Sequence, residues 1–218
     1  MRITAAIFDL DGTVVSDEDE WGEAFKIVLQ RLGVKEQSAY PHVGGIGIEE
    51  NWPIFIRKYN IKTNESIEEL SQETKKEYVK LIDRIRLKQG FKNLVDGLRM
   101  SGVKIALATS SSWGIVEMVC DKLEINDYFQ SITTGEEVLH KKPNPQIFEL
   151  AAEKLGVATE NCLVFEDSKA GVEAAHKAGM SVIGVYRNQK HKDELVNADE
   201  LIENFNEVDP AMINGVGL

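Results

Sequence analysis

Apolar residues fall into two regimes along this chain. At the N-terminus and again beyond residue 100 they come in short, mostly apolar runs, Ile3–Phe8, Val103–Ala108, Cys162–Phe165 and Val182–Tyr186, and Ser131–Thr134 reads as a further short strand. Runs that lack period-two alternation predict strands buried on both faces, as in a parallel sheet. Helical spacing fills the gaps, over Phe91–Met100, from Ser112 to about Leu123, over Asn144–Leu155 and over Ala170–Ala178, with Gly102 and Gly179 as stops. Strand alternating with helix predicts a doubly wound, Rossmann-like α/β core.

Residues 16–86 differ, because they carry helical spacing alone. Trp21, Phe25, Val28, Leu29 and Leu32 mark one helix, stopped at Gly33. A second covers Ile48–Tyr59, with Pro53 tolerated near its start. Ser66 and Glu69 form a capping box that opens a long third helix through Leu70, Tyr78, Leu81, Ile82 and Ile85, with Gly90 as its expected end. The contrast predicts an all-helical domain (16–86) inserted into an α/β core (1–15 and 87–218). The acidic run Asp17–Glu20 reads as a solvated helix start that favours the macrodipole. The Gly-rich stretch His42–Ile48 lacks both the spacing and the preceding strand of a dinucleotide loop, and reads as a flexible loop.

Composition narrows the partners. The chain has 218 residues, 43% hydrophobic and 28% charged, enough for one full domain and a small second one. A net charge of −11 argues against nucleic acid or an anionic membrane as partner. Cys120 and Cys162 each lie in apolar runs with no nearby His, which predicts buried free thiols in a reducing compartment. With no leader or membrane-length apolar stretch visible, the expected location is cytoplasmic.

Three predicted strands end in polar groups: Asp9 and Asp11, Thr109 to Ser111, and Glu166 with Asp167. Lys142 lies in a strand-to-helix connection. Strand ends on one edge of a parallel sheet converge, so these groups can share one site. Asp9 and Asp11 fall on one side of their strand, and like charges so close are costly unless a proton or a cation lies between them, a need that Mg²⁺ would meet. Phosphoryl transfer needs such a set: a nucleophile, neutralising charge, and a proton donor for the leaving oxygen. Each member also has a plain reading. Thr109 to Ser112 and Glu166-Asp167 can cap helices, and Lys141 and Lys142 can be surface lysines. Trp21, Trp52 and Trp113 read as packing groups, although Trp21 lies where the insertion can face the site. His42 and His140 read as incidental.

The order Asp9-Leu10-Asp11-Gly12-Thr13, a hydrophobic strand ending in Thr109-Ser110, Lys142-Pro143, then Glu166-Asp167 resembles the four motifs of the haloacid dehalogenase-like superfamily. The surrounding Gly135–Val138, Lys142–Pro145, Phe165–Ser168 and Ala170-Gly171 resemble its β-phosphoglucomutase-like and phosphoglycolate-phosphatase-like members. The resemblance spans the chain outside the helical cap. It implies Asp9 as the nucleophile that becomes an aspartyl phosphate, and Asp11 as acid and base. It implies Thr109, Ser110 and Lys142 as phosphoryl-binding groups, with Lys142 rather than Lys141 fixed by its place before Pro143. Mg²⁺ would be held by Asp9, the Asp11 carbonyl, Glu166 and Asp167. The implied activity is a Mg²⁺-dependent phosphatase acting on a small phosphorylated metabolite, as a monomer or weak oligomer. A sugar-phosphate mutase is the alternative, and a non-catalytic binding protein a third. Mutase relatives commonly carry a His and an Arg near the positions of Trp21 and Ile48, and neither residue here can hold a phosphate or relay a proton.

Overall fold

The structure, a computed structural model, describes residues 2–35, 38 and 40–213. The remaining positions of the expected core and insertion (1, 36, 37, 39 and 214–218) lie outside the described residues. In chain order the elements are β1 (Ala5–Phe8), β2 (Val15–Ser16), α1 (Glu18–Arg31), α2 (Ile48–Tyr59), α3 (Ile67–Val79), β3 (Arg86–Leu87), α4 (Phe91–Met100), β4 (Lys104–Ala108), α5 (Trp113–Leu123), β5 (Ser131–Thr133), α6 (Gln146–Leu155), β6 (Cys162–Glu166), α7 (Lys169–Lys177), β7 (Ser181–Val185), α8 (Gln189–Glu194), β8 (Glu200–Ile202) and α9 (Pro210–Ile213).

Six strands pair in parallel in the order β5–β4–β1–β6–β7–β8, with helices around them, so the core is Rossmann-like. The lack of alternation in β1 has its explanation here. Ala6 and Phe8 face one core layer, Ala5 and Ile7 the other, and all four are fully buried. Phe8 stacks on Phe165 of the neighbouring strand, with centroids 4.6 Å apart, and meets the edges of Phe91 and Phe205. This aromatic layer fixes β1 between β4 and β6, where Phe8 lies level with Leu107 and Phe165.

After β1 the chain turns on Gly12, whose φ of +78° is costly for a residue with a side chain. It enters the helical insertion through β2 and returns through β3. These two strands pair antiparallel, Val15 with Leu87 and Ser16 with Arg86, so the crossings into and out of the insertion form one ribbon. Within the insertion, Phe55 packs edge to face with Phe25 and Trp52, which are tilted against each other, and the Trp52 indole donates to Thr74.

The third helix is shorter than its spacing predicts. The capping box at Ser66 and Glu69 is present, but α3 stops at Val79. Tight turns follow, bonded Leu81 to Tyr78 and Arg84 to Leu81. The reason is geometric. An α-helix advances about 1.5 Å per residue, and continuing to Gly90 would carry the chain away from the strand it must rejoin. The turns bury Leu81 and Ile85 while redirecting the chain to β3, where Arg86 pairs with Ser16. Gly90 has φ +85° and precedes α4, so it starts a helix where an end was expected. The edge strand β8 is absent from the sequence reading, because a three-residue element carries too little pattern. Cys120 and Cys162 are both free and buried. Among the described residues no helix is long and apolar enough to cross a membrane.

Candidate active site

The ends of β1, β4 and β6 lie side by side. Asp9 takes its backbone bond from N–H to the Phe165 carbonyl, and Thr109 from N–H to the Thr133 carbonyl, so sheet pairing fixes both. Glu166 ends β6, and Asp167 follows it. The connection before α6 brings Lys142 into their midst, its peptide bond to Pro143 cis. The Lys142 side chain is completely buried. Its Nζ donates to Asp9 Oδ1 at 2.6 Å and to Glu166 Oε1 at 2.7 Å, 5.0 Å from the centre of the Phe148 ring. Lys141 instead lines the pocket mouth and donates to the Gly135 carbonyl.

Asp9, Glu166 and Asp167 offer ligand atoms within 4.8 Å of one another, all buried. Burial pushes Asp9 well above the usual carboxylate range; Lys142 opposes this, while Glu166 and Asp11 add to it. Burial also raises Asp167, followed by the charges of Glu18, Glu166 and Asp9. Burial disfavours the Lys142 ammonium, yet the carboxylates of Asp9 and Glu166 outweigh it and hold the group above the ordinary lysine value. Lys142 faces Asp9 and Glu166, and Arg187, 4.0 Å from Asp167, is shared with Glu18, so the carboxylates outnumber these two cations, which suits a hard cation with oxygen ligands. The backbone makes room for the cluster. A Cβ on Gly12 would lie 2.1 Å from Asp167 Oδ2, and one on Gly171 would lie 1.7 Å from Glu166 Oε1.

The Asp11 carboxylate points elsewhere. Oδ1 accepts from Trp21 Nε1 at 2.9 Å, and Oδ2 accepts from Thr109 Oγ1 at 3.2 Å and Ser111 Oγ at 2.7 Å. The helix-cap readings do not describe Thr109 or Asp167, because Ser112 precedes α5 and Ser168 caps α7 through the Gly171 N–H. Ser110 lines the pocket, but its hydroxyl donates to the Gly45 carbonyl at 2.8 Å and so joins core to insertion.

A pocket of about 110 Å³ lies over these groups. Asp9, Asp11, Thr109, Ser110 and Asp167 line its floor, and Trp21, His42, the Gly44–Gly47 turn and Ile48 line its roof. Several expectations change here. The acidic run is not a uniformly solvated helix start: Asp17 is 1% exposed, bonded to the Gly12 N–H and the Tyr78 hydroxyl. Trp52 is a core residue, whereas Trp113 is half exposed. His42 lines the pocket, and burial, then Arg187, push its pKa down to about 4. Glu18 and Arg187 are groups the sequence reading missed. Arg187 Nη1 bonds Glu18 and lies 4.0 Å from Asp167, and its guanidinium covers the Tyr40 ring. The available signal was position, since Arg187 follows β7 at the same sheet edge.

The sequence profile of the family described as "Haloacid dehalogenase-like hydrolase" matches residues 6–185. A phosphorylated carbohydrates phosphatase of Thermotoga maritima is 30% identical over 89% of this chain and 90% of its own. A β-phosphoglucomutase from Clostridium difficile superposes with a TM-score of 0.86 at 28% identity, covering 97% of this chain and 95% of that one. CbbY from Rhodobacter sphaeroides, solved with phosphate, superposes with a TM-score of 0.83 at 29% identity, covering 94% and 96%. The chain belongs to the haloacid dehalogenase-like hydrolases, and it is an enzyme of the phosphomonoester-hydrolase kind.

Proposed function

We propose that the protein is a Mg²⁺-dependent phosphatase of a small phosphorylated carbohydrate or similar monoester, acting through an aspartyl phosphate at Asp9. One observation carries the reading: buried Lys142 bridges Asp9 and Glu166 beside Asp167, under a pocket that also holds Asp11. An Asp9 oxygen attacks phosphorus, and the bond from phosphorus to the leaving oxygen breaks. Asp11 gives that oxygen its proton. Water then attacks the same phosphorus and passes a proton to Asp11, and the Asp9–phosphorus bond breaks to release inorganic phosphate. Lys142 balances charge on Asp9 and on the phosphoryl oxygens, and Thr109 with the Ser110 backbone segment holds those oxygens. Asp9, Asp167 and the Asp11 carbonyl would hold Mg²⁺, with Glu166 beside it. The ion supplies positive charge to the phosphoryl oxygens, which an acidic protein needs at this point.

Residues 16–86 serve as a cap over a core of 1–15 and 87–218. Its roof residues choose the leaving group and exclude water. The likeness to β-phosphoglucomutase keeps a mutase as the second reading. Against it, the roof presents Trp21 and Ile48, an indole and an aliphatic chain. A panel of phosphorylated metabolites, assayed for phosphate release with Mg²⁺ and again with EDTA, separates the readings. Metal-dependent release supports the phosphatase. Conversion of hexose phosphate only with a bisphosphate activator supports the mutase, and full activity in EDTA contradicts the metal-dependent mechanism.

A further inference from the structure

The turn that carries Asp11 is joined to the cap by a closed circuit of buried contacts. Asp11 Oδ1 accepts from the Trp21 indole N–H at 2.9 Å. The Trp21 ring lies flat on Tyr78, with centroids 3.7 Å apart and planes 9° from parallel. The Tyr78 hydroxyl donates to Asp17 Oδ2 at 2.7 Å. Asp17 Oδ1 accepts from the N–H of Gly12, the residue after Asp11, at 3.1 Å, which closes the circuit. Trp21, Tyr78 and Asp17 are 6%, 0% and 1% exposed. Trp21 lies on α1 and Tyr78 on α3, whereas Asp11 and Gly12 belong to the core turn.

The two Asp11 oxygens therefore have donors from different parts of the molecule. The core hydroxyls of Thr109 and Ser111 serve Oδ2, and the cap serves Oδ1. A carboxylate rotates on a broad torsional surface, so donors on both oxygens are needed to fix its plane. An indole N–H donates and cannot accept, so it orients the carboxylate without taking the transferred proton. The stack on Tyr78 leaves the indole little freedom of its own.

We propose that Trp21 is a positioning residue that orients Asp11 for proton transfer and links that orientation to the cap. This rests on the phosphatase reading above, in which Asp11 gives a proton to the leaving oxygen and takes one from water. The two steps can be separated. A 4-nitrophenyl ester expels its phenolate as the oxyanion, so phosphorylation of Asp9 needs no proton from Asp11. Hydrolysis of the aspartyl phosphate still needs Asp11 to take the proton of the attacking water.

Trp21→Phe keeps a ring on Tyr78 and removes the N–H. Rapid mixing of this variant with 4-nitrophenyl phosphate and Mg²⁺ should give a burst of about one nitrophenolate per enzyme. The steady rate that follows should be about 10–10²-fold below wild type, a part of the full acid–base contribution. An alkyl phosphate should show no burst, because both of its steps slow. Tyr78→Phe keeps the N–H but cuts the circuit at Asp17, and should give the same burst with a smaller loss. That variant decides the matter if Trp21→Phe does not fold. A wild-type steady rate in the folded Trp21→Phe enzyme overturns the proposal, and so does a slow rate without a burst. An inactive wild type overturns the phosphatase reading and this proposal together, and is recognisable because no variant is involved.

Discussion

Lys142 shows how much one side chain can hold in place. It is the positive partner of Asp9 and Glu166 in a pocket with almost no solvent. Removing one partner of a buried pair leaves unpaired charge and costs about 3–5 kcal/mol. Lys142→Met, which keeps the volume and removes the charge, should lose about that much stability in metal-free protein and should lose turnover. Added Mg²⁺ should recover part of the stability, since it supplies charge to the same carboxylates. Thermal melts with and without the ion check this, and an unchanged metal-free midpoint would contradict the account of the cluster. That Asp9, Asp11, Thr109, Glu166 and Asp167 lie together was legible in the sequence because each stands at or next to a strand end, where position along the chain predicts position in space; Lys142 lies well beyond β5, in the connection before α6, and was singled out by the family resemblance through Pro143. Asp17, Glu18 and Arg187 were not. Asp17 finds its partner Tyr78 61 residues away and Arg187 finds Glu18 169 residues away, distances over which no local pattern speaks.

Among the elements, the proposed role of the cap in selecting the leaving group can be tested at the pocket roof. Ile48 begins α2 and lines the roof of the pocket, where under the proposed function it would face the leaving group rather than phosphorus. Ile48→Ala should therefore lower kcat/KM for the physiological ester more than for 4-nitrophenyl phosphate. Equal losses would mean that the roof does not select. His42, in the same loop, adds a pH effect. Its ordinary value of 6.5 falls to about 4 in the folded protein, through burial first and Arg187 second, with Asp11 opposing. The unfolded chain then binds the proton first as pH falls, so stability present above about pH 6.5 is lost progressively toward pH 4. His42→Gln should show a flatter fall of melting temperature over that window, and parallel curves would contradict the assignment. The elements themselves were mostly legible, since α2 and α4 have the bounds their spacing predicts. The end of α3 was not, because Tyr78, Leu81, Ile82 and Ile85 satisfy helical spacing whether the chain continues or turns. The need to pair β3 with β2 decided it.

On the scale of the whole molecule, a protein of net charge −11 gathers its chemistry for an anionic group at one sheet edge. Lys142 and a bound cation would reverse the local sign there while the remaining surface stays acidic. The central claim is that Asp9 itself receives the phosphoryl group. The most direct measurement is intact-protein and peptide mass spectrometry of enzyme quenched in acid during turnover with Mg²⁺ and a substrate from the panel. The account predicts a mass gain of one phosphoryl group on the peptide containing Asp9. It also predicts that both the gain and the phosphate release vanish in Asp9→Asn, since an amide cannot serve as the anionic nucleophile. Phosphate release from Asp9→Asn at a wild-type rate, or a phosphoryl group trapped on any other residue, would contradict it.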